Sequence, residues 1–172
     1  TRAAASRRMP PARENFATMN TVIPLWAVPT VPVEGSDARF PVRHIYCVGR
    51  NYAEHAAEMG GDATKEPPFF FTKAADAIVP VAPGETGTVA YPMATKNLHH
   101  EVELVVAAGQ SLMMAVGIDF TARDLQEADK KKGLPWTSAK GRPGFAAVGN
   151  FIPLSLPSEL ELAVDGAVRQ RG

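Results

Sequence analysis

The chain reads as a mixed α/β, β-rich domain with a few short helices. Three observations predict this. Prolines 24, 29, 32 and 41 cut residues 21–42 into short β-prone pieces, a pattern of edge strands and turns, because proline cannot serve a central ladder. Apolar or alternating runs recur at 44–48, 67–73 and 99–109, each stopped by glycine or opened by proline. Only two stretches carry paired helix start and stop signals, and no internal repeat or low-complexity tract appears.

In chain order, "HIYCV" (44–48) is a strand stopped by Gly49. A helix follows at once: Asn51 N-caps it, Glu54 stands three residues on as in a capping box, and Gly60-Gly61 ends it. "PPFFFTK" (67–73) is a short aromatic strand, "AIVPVAPGETGTVAYP" supplies more strand and turn, and "HHEVELVVAAG" (99–109) is a strong strand with its stop at Gly109. The second helix spans Ala122 to Lys132. Thr121 and Asp124 suit its first turn, Lys130 to Lys132 complement its C-terminal dipole, and Gly133 with Pro135 stops it. Strand-like pieces at 151–156 and 159–164 and a turn at Asp165-Gly166 complete the domain.

A length of 172 residues, 45% apolar and 21% charged, fits one soluble domain with a real core. The 18 basic and 18 acidic residues cancel, which removes the electrostatic case for nucleic acid or an acidic membrane. No apolar run approaches the ~18 residues that a spanning helix needs. Cys47 is the one cysteine, so an intramolecular disulfide is excluded and a reducing, cytoplasmic setting is expected. Within "IYCVG" it reads as a buried small hydrophobe, not a nucleophile. Residues 1–18 hold four arginines and one acid, and they are expected to be a disordered leader or tag. Met19 then reads as the natural start, and 19–172 as the folded domain.

The sharpest chemical signal is Glu101 with Glu103. In a strand, residues two apart point to the same face, so both carboxylates project side by side. Poorly hydrated neighbours of like charge repel unless a cation neutralises them. Asp119, in "AVGIDFTARD", falls at the end of an apolar strand just before a helix, where a side chain is exposed at a rim. Two readings stay open: a solvated charged strand with a helix-capping aspartate, or three ligands for a hard ion. Carboxylates without cysteine suit Mg²⁺ first, then Mn²⁺ or Ca²⁺, and disfavour zinc. His99 and His100 precede the glutamates but are not counted as ligands. In "RNYAEHAAEMGG", His55 and Glu58 share one helical face. They are either a solvated pair or an imidazole held by a carboxylate to activate water, on a helix whose Gly-rich flanks suit a lid.

Five separated blocks then decide a family. "CVGRNYAEHAAEMG", "PPFFFTK", "TKNLHHEVELVV", "GIDFTARDLQ" and "KKKGLPW" with its following "AK" occur in one order. In that order and over residues 37–165, the chain resembles the fumarylacetoacetate hydrolase superfamily, and within it the fumarylpyruvate hydrolase and acylpyruvase branch. The resemblance implies a β-roll, usually a homodimer. It implies that Glu101, Glu103 and Asp119 bind a divalent metal, and that His55 and Glu58 on a lid helix activate water, with Lys140 catalytic beside them. It also implies that Arg123, Gln126 and Lys73 line the substrate site. By themselves these lysines and Arg123 read as surface charges. The implied reaction is hydrolysis of a carbon–carbon bond in a β-diketo acid, giving pyruvate and a carboxylic acid.

The family's other reactions remain as alternatives: oxaloacetate decarboxylation and oxo-dienoate isomerisation or hydration. A truncated, non-catalytic member that binds a metal or a partner is the alternative of another class. Two departures from the family pattern carry an expectation of their own. The connection after Gly109 is short, and the Thr-Gly-Thr-Pro-like motif expected further on is absent before Gly172. The chain is therefore expected to lack a surface segment near 110–114 and a C-terminal part, with an interruption visible near Gln110.

Overall fold

A computed structural model describes residues 20–49, 68–156 and 159–172. The expected leader and the segment carrying His55 and Glu58 lie outside these residues. The strands are β1 (Thr30–Pro32), β2 (Arg39–Pro41), β3 (Ile45–Gly49), β4 (Phe69–Lys73), β5 (Ile78–Pro80), β6 (Leu98–Ala108), β7 (Leu112–Ala122), β8 (Ala146–Val148), β9 (Ile152–Pro153), β10 (Glu161–Val164) and β11 (Ala167–Arg171). Two helices, α1 (Arg123–Lys132) and α2 (Thr137–Lys140), lie between β7 and β8. The β-rich class is as the sequence predicts.

The β6–β7 hairpin organises the molecule. Its strands pair without a break from Leu98↔Ala122 to Ala108↔Leu112, and Gly109 donates its N–H to the Ser111 carbonyl at 3.2 Å across the turn. The interruption expected near Gln110 is not seen: a tight turn joins two strands of equal length. Strands β8 and β5 extend the sheet in the order β5-β8-β7-β6, with β9 also on β7. Strand β8 is antiparallel to β7 and parallel to β5.

Prolines 32 and 41 end β1 and β2 on a separate two-stranded ribbon, where a missing donor costs no ladder bond. Strands β3 and β4 form a second ribbon from Ile45↔Lys73 to Gly49↔Phe69. Strands β10 and β11 form a third, closed at Asp165 (φ 51°) and Gly166 (φ 77°). Two consecutive left-handed residues give the primed turn that matches strand twist. The strand-like run at 151–156 shrinks to Ile152–Pro153, and residues 83–92 of the "APGETGTVAYP" stretch carry no strand.

The core gathers Val31, Val42, Ala107, Ala115, Val148 and Phe151, with Phe40 meeting Phe151 edge-on at 5.4 Å between centroids. Ala107 and Ala115 lie on one face of the hairpin, together with Val105 and Met113. The same face continues toward the open end of the hairpin as Glu103 opposite Gly117, Glu101 opposite Asp119 and His99 opposite Thr121. Gly117 marks the border. A Cβ there would stand 2.6 Å from Val105 Cγ2 and 3.3 Å from the Ala147 carbonyl.

Candidate active site

The pairing of Glu101 with Asp119 brings two carboxylates onto one face of adjacent strands, and alternation adds Glu103 beside them. Asp119 is not at an exposed rim, which corrects the sequence expectation. It lies within β7, its side chain only 10% exposed, because β8 and α2 cover the strand.

Three cations converge on the acids. Lys140 Nζ bridges them, 3.0 Å from Glu101 Oε2 and 2.7 Å from Asp119 Oδ2. Arg123 Nη2 donates to Glu101 Oε1 at 2.5 Å. Lys73 Nζ stands 2.8 Å from Asp119 Oδ1. Lys73 and Lys140 are 4% exposed, so their reading as surface charges is also corrected. Charges this dry persist only when paired.

Local structure explains each placement. Lys140 ends α2, a four-residue helix that no sequence signal announced and that packs on β7 and β4. Its ammonium lies 5.2 Å from the Phe71 ring centroid. Arg123 opens α1 directly after β7, so its side chain turns back over Glu101. One turn on, buried Gln126 accepts from Arg123 Nη1 at 3.5 Å. The helix starts one residue later than expected, and Ala122 caps it without a side-chain bond. Thr121 stays in the strand, fully buried, its Oγ1 without a hydrogen-bond partner among the described residues. Asp124 serves the first turn as expected, accepting from the Thr95 hydroxyl and from the N–H groups of Lys96 and Leu125. The Thr95 bond foremost holds its carboxyl below the usual carboxylate range. Gly133 (φ 65°) closes the helix as a left-handed C-cap.

Burial pushes the Lys73 ammonium below the ordinary lysine value, against the pull of Asp119. Burial likewise raises the Cys47 thiol to about 11, helped by the Asp119 charge. Cys47 is half-buried on β3 and feels Asp119, Lys73, Lys140 and Glu103. Expected as a buried small hydrophobe, it is half-buried and neighbours the charged site. His99, beyond Glu101 on the same face, is lowered by partial burial and then by the Arg123 charge.

Among the described residues, no three His, Cys, Asp or Glu side chains converge as a ready cage for a metal ion. The chemistry of the acids still fits a hard divalent ion. The donor set is all carboxylate, and among the described residues Asp119 Oδ1 is a buried oxygen with no hydrogen-bond partner, its approach to Lys73 being an ion pair outside hydrogen-bond angles. The described part of the sequence-predicted site, namely Glu101, Asp119, Lys140, Arg123, Gln126 and Lys73, is one contiguous network, with Glu103 on the same face.

The sequence profile of the fumarylacetoacetate (FAA) hydrolase C-terminal family matches residues 44–172. The chain belongs to the fumarylacetoacetate hydrolase family. It is 44% identical to a fumarylpyruvate hydrolase from Pseudomonas aeruginosa whose crystal structure is a complex with Mn²⁺ and pyruvate. The TM-score is 0.83, over 89% of this chain and 73% of that one. It is also 40% identical over 146 residues to a mitochondrial oxaloacetate tautomerase from Arabidopsis thaliana, covering 74% of this chain and 63% of that protein. A mitochondrial oxaloacetate decarboxylase from Dictyostelium discoideum is 36% identical over 148 residues, covering 76% and 66%. The chain thus spans just under two thirds of the length of these curated relatives. Among the described residues, no helix is long and apolar enough to cross a membrane.

Proposed function

We propose that this fumarylacetoacetate hydrolase family chain carries the site of a metal-assisted hydrolase that cleaves a carbon–carbon bond of an acylpyruvate, fumarylpyruvate foremost. The observation that carries the reading is the neutralised carboxylate cluster. Glu101 and Asp119 are held face to face by Lys140 and Arg123, in a chain 44% identical to a fumarylpyruvate hydrolase crystallised with Mn²⁺ and pyruvate.

Glu101, Glu103 and Asp119 would hold Mg²⁺, Mn²⁺ or Ca²⁺. Such an ion supplies Lewis-acid polarisation of the substrate's oxygens. Charge supports an anionic substrate. Lys73, Lys140 and Arg123 balance the three carboxylates, so a divalent ion leaves the cluster net positive, as a keto-diacid requires. Arg123 presents a fixed donor fork, with Gln126 bracing Nη1, and suits a substrate carboxylate. Lys140 places its ammonium beside the two acids, where it would stabilise developing enolate character. His55 and Glu58 retain their sequence-based role as general base and orienting carboxylate, drawing a proton from the water that attacks the distal carbonyl.

The second reading is an oxaloacetate tautomerase or decarboxylase, favoured by the names of the relatives at 40% and 36% identity. A homodimer is proposed from the family resemblance. The compartment is proposed as the cytoplasm on the single cysteine, whereas those relatives are named as mitochondrial. The deciding experiment assays the purified protein on fumarylpyruvate, acetylpyruvate and oxaloacetate, with and without Mn²⁺ or Mg²⁺. Metal-dependent release of pyruvate and fumarate, with kcat/KM above that for oxaloacetate, is expected. A reversed ratio moves the protein to the second reading. No metal-dependent turnover at all leaves a non-catalytic member.

A further inference from the structure

We propose that Lys73 is a positioning residue that acts through Lys140, and not a substrate ligand. Its side chain is 2% exposed. Among the described residues, its ammonium donates to the Lys140 carbonyl at 2.6 Å and the Phe120 carbonyl at 3.4 Å, pairs with the Asp119 charge at 2.8 Å from Oδ1, and lies 5.6 Å from the Phe145 ring centroid. These groups enclose the ammonium and keep it from a ligand.

These partners tell what Lys73 does. The bond to the Lys140 carbonyl fixes the last residue of α2 against β4, and the Asp119 contact fixes the same point against β7. Two residues earlier on β4, on the same face, Phe71 lies under the Lys140 ammonium. One strand therefore grips Lys140 twice, at its backbone through Lys73 and at its head through Phe71. A four-residue helix has too few internal hydrogen bonds to hold a charged side chain in place by itself. The Asp119 carboxylate ends up between two ammonium groups, Lys73 on Oδ1 and Lys140 on Oδ2.

The inference rests on the hydrolase reading, and its test has an arm that does not. In the first arm, Lys73→Met is assayed with Mn²⁺ and fumarylpyruvate. A positioning role lowers kcat by about 10- to 100-fold, the scale of an ångström-level misplacement, and keeps KM within about twofold. The same substitution in a Lys140→Met background then adds no further loss, because the two act as one unit. In the second arm, acetylation by an activated ester is followed by mass spectrometry on the protein alone. Lys140 is expected to react at least about fivefold faster in Lys73→Met, with Lys130 to Lys132 unchanged. Lys73→Arg, which keeps the buried charge, serves if the methionine variant does not fold, and faster Lys140 acetylation is expected there too. Unchanged Lys140 reactivity in a folded variant overturns the proposal, as does a rise in KM with kcat intact. A wild type without turnover sinks the hydrolase reading alone, since the acetylation arm still reports on Lys73.

Discussion

The two ends of the β6–β7 hairpin share a backbone geometry and one sheet face, yet they hold opposite contents. Toward the turn, Val105, Ala107, Met113 and Ala115 pack into an apolar core with Phe151 and Val31. Toward the open end, Glu101 and Asp119 are held by Lys73, Lys140 and Arg123. The first end is stabilised by removal of apolar surface from water. The second holds buried charges whose desolvation roughly offsets their attraction, so it contributes position more than stability. The apolar end thus carries the charged end, and Gly117, where a Cβ would press on Val105, marks the border between them.

Substitutions at the charged end should break function first. Glu101→Ala leaves Arg123 and Lys140 facing each other without their shared counter-ion. Turnover is expected to fall by about 10²–10³-fold, the scale of losing one electrostatic partner at a reacting centre. Titration calorimetry should show Mn²⁺ binding lost. Retained affinity would remove Glu101 from the ligand set.

At the apolar end the expected effect is on stability alone. Phe151 is 3% exposed and touches Phe40 edge-on. Phe151→Ala should cost about 3–5 kcal/mol in urea unfolding, the range for deleting a buried aromatic ring. The kcat of the folded fraction should stay within about twofold. A large loss of kcat per folded molecule would show that the two ends are not separable.

The smallest effect sharpens the border between them. Cys47 faces the charged end from β3, with its thiol raised to about 11 by burial and by Asp119. At pH 8 its thiolate fraction is about 10⁻³, so iodoacetamide should label it roughly 100-fold more slowly than an ordinary thiol. The labelling rate should keep climbing through pH 10 instead of levelling near 9. The sign for stability follows: a raised thiol value favours the folded state below pH 9, and that contribution is lost as pH rises toward 11. A plateau near pH 9 would place Cys47 in water, away from the acids.

Much of this was determined by sequence alone, wherever the signal is local. Alternation sets Glu101 and Glu103 on one face, Gly133 stops α1, and Asp165-Gly166 makes the hairpin turn. Each depends on backbone geometry within a few residues. The family also was legible, because five short blocks keep their order. The tertiary structure decided what depends on contacts between distant segments. Asp119 looked like a rim residue because a strand's end shows in sequence while the α2 and β8 cover does not. Lys73 and Lys140 looked like surface charges because their partners lie on other elements, Asp119 being 46 and 21 residues away by sequence number. Burial of a lysine is a property of what surrounds it, and no window along the chain contains that surrounding.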